Sequence, residues 1–150
     1  MMRVLVTGGC GYIGSQLLRD LPEHLEEEIG VRVLDNLQGG RPEALMDLPV
    51  GCDYEFIEGD VLDPSVQRAA LRDVDAVIHL AAIVQTPLSF DDPNWVEQVN
   101  HWGTSHLLEA CLEEGVGDFI FASSAAVYGP GGPHGEDDPC DPMGAYAHSQ

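Results

Sequence analysis

The sequence contains no lysine. Its 150 residues carry six basic side chains, all arginine, against 26 Asp and Glu, for a formal net charge of -20. A surface so poor in cations repels phosphate backbones and anionic lipid headgroups, so neither nucleic acid nor a membrane surface is expected as a partner. The charge does not imply disorder, because 44% of the residues are hydrophobic and fall in blocks that can form a core. The composition is halophile-like: salt screens repulsion within an acidic shell, so the melting temperature is expected to rise as KCl is added. A scan that stays flat or falls with KCl overturns that expectation.

Long apolar runs are missing too. Val4-Leu5-Val6 stops at Thr7-Gly8-Gly9, and the stretch from Ala76 to Val84 is broken by His79, so neither a signal peptide nor a membrane span is expected. Cys10, Cys52, Cys111 and Cys140 include no Cys-x-x-Cys pair. That argues against a zinc site or a disulfide framework and for a reducing, cytoplasmic setting. His24, His101, His106, His134 and His148 form no His-Glu-x-x-His spacing, and no metal is expected. No Gly-x-Ser-x-Gly elbow marks a hydrolase. Glu26-Glu27-Glu28 reads as a solvated helix end.

What is present is a β–α alternation in a chain the size of one domain. Arg3–Val6, Val31–Asp35, Tyr54–Ile57, Ala76–Leu80 and Asp118–Ala122 read as strands that are apolar on both faces. Tyr12–Leu21, Pro42–Leu48, Pro64–Arg72 and Pro93–Glu114 read as helices, the last with a capped start at Asp91-Asp92-Pro93. Such strands suit a parallel sheet covered on both sides, so the fold class is α/β with about five strands, doubly wound. Right-handed crossovers put the third and second strands on one flank of the first, and the fourth and fifth on the other. A ligand crevice is then expected at the carboxyl ends of the strands. From Tyr128 to Met143, prolines and glycines indicate a surface loop.

Gly8, Gly11 and Gly14 stand between the first strand and its helix. In that context Gly8 permits a tight turn, Gly11 lets the backbone approach a pyrophosphate at the helix N-terminus, and Gly14 lets the helix pack close to the sheet. Asp35 closes the second strand, where a carboxylate accepts hydrogen bonds from the adenosine ribose and repels a 2′-phosphate, favouring NAD over NADP. A purely structural βα turn with Asp35 as a cap is the competing reading. Cys10 is read as a small filler.

These residues resemble the extended short-chain dehydrogenase/reductase family, in its NAD-dependent epimerase/dehydratase group acting on nucleotide sugars. Thr7-Gly8-Gly9-Cys10-Gly11-Tyr12-Ile13-Gly14-Ser15 is similar to that family's phosphate loop, and Asp35-Asn36-Leu37 to its ribose-binding turn. Glu58-Gly59-Asp60-Val61 resembles the adenine-holding segment, where the Asp60 side chain and the Val61 amide act. His79-Leu80-Ala81-Ala82 resembles the strand end that passes the cofactor, and Asn100 with Gly103-Thr104 the helix that buttresses the active site. Ser123-Ser124-Ala125-Ala126-Val127-Tyr128-Gly129 resembles the motif that puts the catalytic hydroxyl on Ser124. Read without the resemblance, Asp60 caps the helix near Pro64, His79 is a satisfied core histidine, and Asn100 faces solvent.

The resemblance implies a Rossmann-type fold, bound NAD, and Tyr146 as the base that takes a proton from a sugar hydroxyl during hydride transfer. A free phenol titrates near pH ~10, so the family supplies a lysine four residues on to favour the phenolate. Here that position holds Gln150, and His148 points elsewhere on the helix. The resemblance also implies further strands and a substrate-binding portion after the tyrosine helix. Residues 1–150 are therefore expected to be an incomplete NAD-binding domain with little turnover alone, and a homodimer when full length. Two other readings stay open: a catalytically silent NAD-binding module, and an extended-family oxidoreductase of non-sugar substrates.

Overall fold

The computed structural model describes residues 1–25, 28–84 and 90–150; Glu26 and Glu27 of the acidic run lie outside them. Strands β1 (Met2–Thr7), β2 (Ile29–Asp35), β3 (Asp53–Glu58), β4 (Ala76–His79) and β5 (Asp118–Phe121) form one sheet. All pairs are parallel and the order is β3-β2-β1-β4-β5, the doubly wound order expected from the sequence. Among the described residues the helices are α1 (Tyr12–His24), α2 (Pro64–Leu71), α3 (Pro93–Glu97), α4 (Gly103–Glu114) and α5 (Gly144–His148). None of them is long and apolar enough to cross a membrane.

Alternation along the central strands divides the core. Leu5, Leu34 and Val77 pack with Ala70, Leu71, Leu107 and Cys111 under α2 and α4, whereas Val4, Val6, Val31 and Val33 pack with Leu18 and Ala44 under α1. Strands buried on both faces are what a parallel sheet between helical layers requires. That expectation fails for the outer two: Glu55 and Phe56 in β3, and Ile120 and Phe121 in β5, are exposed, because these strands are the sheet edges.

The register brings Thr7 opposite Leu34 and His79, and His79 opposite Phe121. The carboxyl ends of β1, β2, β4 and β5 therefore open at one rim, and the candidate site lies there.

Three helix assignments change. α1 runs on through Pro22 to His24 instead of stopping at Leu21. Proline cannot donate to the carbonyl one turn back, here that of Leu18, but the Tyr54 hydroxyl donates to Leu18 O at 2.9 Å and satisfies it. The segment at Pro42–Leu48 is only a 3-10 turn over Pro42–Leu45, with Asp47 at φ 52 and extended backbone at Met46 ending it. Pro93–Glu114 is interrupted by a π turn at Gln98–Trp102, which rotates Val99 and Asn100 into the interior. Asp92 caps α3 by accepting from Trp95 N at 3.0 Å. Asp63, not Asp60, caps α2, accepting from Ser65 N and Val66 N.

Arg32 sits inside β2 and is 6% exposed. Its guanidinium donates to Ala70 O and Arg72 O at the end of α2, both at 2.7 Å, and to Glu55 at 2.7 Å. A buried cation is tolerable when its donors are taken and it faces helix C-terminal carbonyls.

Candidate functional site

The glycine loop leaves β1 in a conformation that side chains would forbid. Gly8 has φ +69, donates to Leu34 O at 2.8 Å, and lies so near β4 that a Cβ there would be 2.7 Å from Ala81 N. Gly11 N donates to Gly8 O at 3.0 Å, closing the turn. A Cβ on Gly11 would have only Gly8 O within 4 Å, so its other side is bare backbone facing outward. Gly14 packs α1 against the loop itself rather than against the sheet: a Cβ would meet Gly8 O at 2.5 Å and Gly9 Cα at 2.6 Å. No side chain caps α1 and its first turn contains no acid, so its N-terminus keeps its positive end. Tyr12 and Ile13 project outward, 96% and 64% exposed.

Asp35 is buried and works structurally as well. One carboxylate oxygen accepts from Cys10 N at 2.9 Å and the other from Leu37 N at 2.8 Å, so it clamps the glycine loop to the turn after β2. Each oxygen retains a second lone pair for an incoming hydroxyl. Asn36 Nδ2 donates to Asp60 Oδ2 at 3.0 Å and Leu62 N to Asp60 Oδ1 at 2.8 Å, joining the ends of β2 and β3. The Val61 side chain is in the core, and its carbonyl is held by buried Gln67 at 2.5 Å. Burial pushes the Cys10 thiol up to about 11, with Asp35 adding to the shift, so Cys10 fills space and is no nucleophile.

His79 is 1% exposed and bonded at both ring nitrogens, to Thr7 Oγ1 at 2.6 Å and Thr104 Oγ1 at 2.8 Å. The proton positions follow by elimination. Thr104 Oγ1 donates to Asn100 O at 2.6 Å, so it accepts from His79 Nε2–H; Nδ1 then accepts from the Thr7 hydroxyl, which itself accepts from Ala81 N at 3.2 Å. Burial lowers the His79 pKa to about 4, in keeping with a neutral ring. This is a satisfied core histidine, and its bonds fix the position of Leu80-Ala81-Ala82 over the loop.

Asn100 does not face solvent. It is 1% exposed, pairs with both Ile83 N (2.7 Å) and Ile83 O (3.0 Å), and donates to Ser149 Oγ at 3.0 Å. Ser149 in turn donates to Tyr146 O at 2.8 Å. A line of hydrogen bonds thus runs from Thr7, beside the glycine loop, through His79, Thr104, Asn100 and Ser149 to the tyrosine helix.

Ser124 Oγ accepts from Ala126 N at 3.2 Å and starts the 3-10 turn Ala125–Tyr128, against which α5 packs. Ser123 Oγ donates to Gln150 O at 3.2 Å, tying the end of β5 to the end of α5. Among the described residues, Gln150 Nε2 is buried without an acceptor. His148 is exposed and bonded back to Gly144 O at 2.9 Å. No group of three or more His, Cys, Asp or Glu among the described residues is arranged to hold a metal.

One feature suits a dinucleotide: the glycine loop is a cradle of bare backbone at an uncapped helix start. Gly8, Gly11, Tyr12, Ile13 and Gly14 lie in the loop and the first turn of α1, Asp35 and Asn36 at the end of β2, and Asp60 and Val61 just after β3. Leu80, Ala81, Ala82 and Asn100 stand along the rim that leads to Ser124 and Tyr146. Sequence reasoning missed the bonds from Thr7, Thr104 and Ser149. Their small hydroxyl side chains near strand and helix ends were the available signal.

A family model described as the NAD dependent epimerase/dehydratase family matches residues 4–150. A UDP-glucose 4-epimerase from Mycolicibacterium smegmatis is 37% identical, the match covering 97% of this chain and 47% of that protein. Among solved structures, a dTDP-glucose 4,6-dehydratase from Streptomyces venezuelae with NAD bound is 35% identical with a TM-score of 0.87, covering 99% of this chain and 48% of that one. The Thermus thermophilus UDP-glucose 4-epimerase in complex with NAD is 40% identical with a TM-score of 0.83, covering 99% and 47%. The chain spans about half the length of the curated relatives it matches.

Proposed function

The chain belongs to the NAD dependent epimerase/dehydratase family, and from that premise we propose that it is the cofactor-binding half of a nucleotide-sugar epimerase or dehydratase. The observation that carries the reading is the bare glycine cradle at the uncapped start of α1, set at the rim where the sheet order reverses beside β1. NAD, when bound, supplies a hydride acceptor and donor. The chain's own residues do the rest. Loop and helix N–H groups hold the phosphates, Asp35 accepts from ribose hydroxyls, and Asp60 and Val61 hold the base. The His79 and Asn100 bonds keep the rim in place so that little reorganisation is left to binding.

Tyr146 is assigned the proton transfer at a sugar hydroxyl, and Ser124 shares the hydrogen bonds of that hydroxyl. Gln150 offers an amide donor where the family uses a cation; it can orient a hydroxyl but does not stabilise a phenolate by charge. That substitution favours a second reading, a silent module that binds NAD without turnover. On either reading the partner is a small molecule, with a nucleotide sugar as substrate on the first.

Calorimetric titration of NAD into the chain tests both, with saturable one-to-one binding as the expected result. A folded sample that takes up no NAD overturns both. Adding UDP-glucose or dTDP-glucose to the NAD-loaded full-length protein then separates them. Because the hydride taken from the sugar is returned to it, NAD is regenerated in each cycle, and the test is product analysis: an altered sugar nucleotide forms with the enzyme and not with the silent module.

A further inference from the structure

The six arginines are a scarce resource in a chain of net charge -20. Arg32 is paired with Glu55, and Arg3 lies 3.9 Å from Asp73. Arg19 and Arg41, by contrast, line one open cavity of about 580 Å³ beside the glycine loop, together with Gly11, Ser15 and a single acid, Glu43. The wall therefore carries a positive excess in a molecule that is otherwise strongly negative, and the uncapped N-terminus of α1 adds to it.

Both arginines are anchored so that their charge stays available. Arg19 donates to Ser15 O at 2.6 Å, Ala44 O at 3.1 Å and Met46 O at 2.9 Å; carbonyls orient a guanidinium without neutralising it. Arg41 N donates to Cys10 O at 3.0 Å, which pins its backbone to the loop. Gly40 before it is pressed against the same loop: a Cβ there would lie 2.7 Å from Cys10 Cβ and 3.0 Å from Asp35 Oδ1. Among the described residues the Arg41 guanidinium has no hydrogen bond or ion pair. An exposed fork of donors on a fixed stem, facing a loop of bare backbone, is suited to a phosphate.

We propose that Arg41, backed by Arg19, is a phosphate-recognition residue for the adenosine half of the dinucleotide, contacting its 5′-pyrophosphate. This rests on the dinucleotide reading above and adds a residue to it. Nothing in the glycine pattern or in Asp35 requires a cation here. In so acidic a chain, Arg41 offsets the repulsion that a polyanionic ligand meets on approach.

The test is calorimetry on the whole chain, comparing wild type with Arg41→Gln and Arg41→Lys against adenosine, ADP, 2′-AMP and NAD. Arg41→Gln should bind ADP and NAD about tenfold more weakly, as expected for losing a charge-assisted contact at a solvent-facing site, with adenosine unaffected. Arg41→Lys should recover most of that loss. A loss confined to 2′-AMP would put the arginine at the ribose and overturn the pyrophosphate contact. Because the side chain is exposed and makes no internal bond, the melting temperature should not move. Equal affinities of wild type and Arg41→Gln for ADP and NAD overturn the proposal while leaving NAD binding intact. A wild-type chain that binds no NAD overturns the dinucleotide reading and this one with it.

Discussion

Gly8→Ala is expected to lower stability by about 2–4 kcal/mol and to weaken NAD binding by at least about tenfold. Two independent costs combine. The backbone sits at φ +69, where an L side chain is strained by about 1–2 kcal/mol. The added methyl would stand 2.7 Å from Ala81 N and 2.8 Å from Ala81 Cα and Leu80 C, a contact that only backbone movement relieves. That movement separates the ends of β1 and β4, which Leu80 N to Thr7 O (3.1 Å) and Ala81 N to Thr7 Oγ1 (3.2 Å) hold together. Gly135→Ala is the control, since nothing lies within 4 Å of a Cβ there. Urea unfolding of both variants and NAD calorimetry below their transitions check the prediction. A Gly8→Ala protein as stable as Gly135→Ala would show that the loop relaxes freely.

The second large effect is a loss of stability in acid that belongs to His79. Its ring titrates at about 4 when folded, against 6.5 for the free side chain, because burial penalises the charged form. Between those values the unfolded chain holds a proton that the folded chain does not, so lowering the pH favours unfolding. Above pH ~6.5 neither state is protonated and the full stability is present; below pH ~4 both are, and the loss is complete at about 3 kcal/mol. Protonation also disturbs the bonding: Nδ1 becomes a donor facing a Thr7 hydroxyl that had been donating to it. Carboxylates begin to titrate in the same window and relieve the shell's repulsion, so the comparison must be with His79→Gln at each pH. The wild type should lose stability relative to that variant as the pH falls from 7 to 4. Parallel curves would mean that the folded ring accepts a proton without penalty.

Both effects lie where long-range contacts meet local pattern, and that division accounts for what could be read beforehand. The five strands and their order followed from apolar runs alternating with helical stretches and from the handedness of crossovers, which are properties of short segments. The glycine loop and Asp35 were equally visible, since their spacing relative to a strand end is itself local. The edge positions of β3 and β5 followed from that order; which of their side chains are exposed did not, because an edge strand and a central strand can have the same composition. Nor did the place of Arg32, a charge inside an apolar run whose acceptors come from α2 and β3.

The sequence by itself determined the strand order, the place of the candidate site and the type of loop that lines it, because hydrophobic period, glycine spacing and helix caps act within a few residues. Only the tertiary structure decided how those parts are held. Pro22 stays in a helix because the Tyr54 hydroxyl reaches the carbonyl it leaves free, and Asn100 is buried because a π turn rotates it toward Ile83 and Ser149. His79 is kept neutral because burial penalises the charged ring, while Thr7 and Thr104, from two other elements, use both its nitrogens. A buried polar group is settled by whichever partner the fold brings within about 3 Å, and that partner can come from anywhere in the chain.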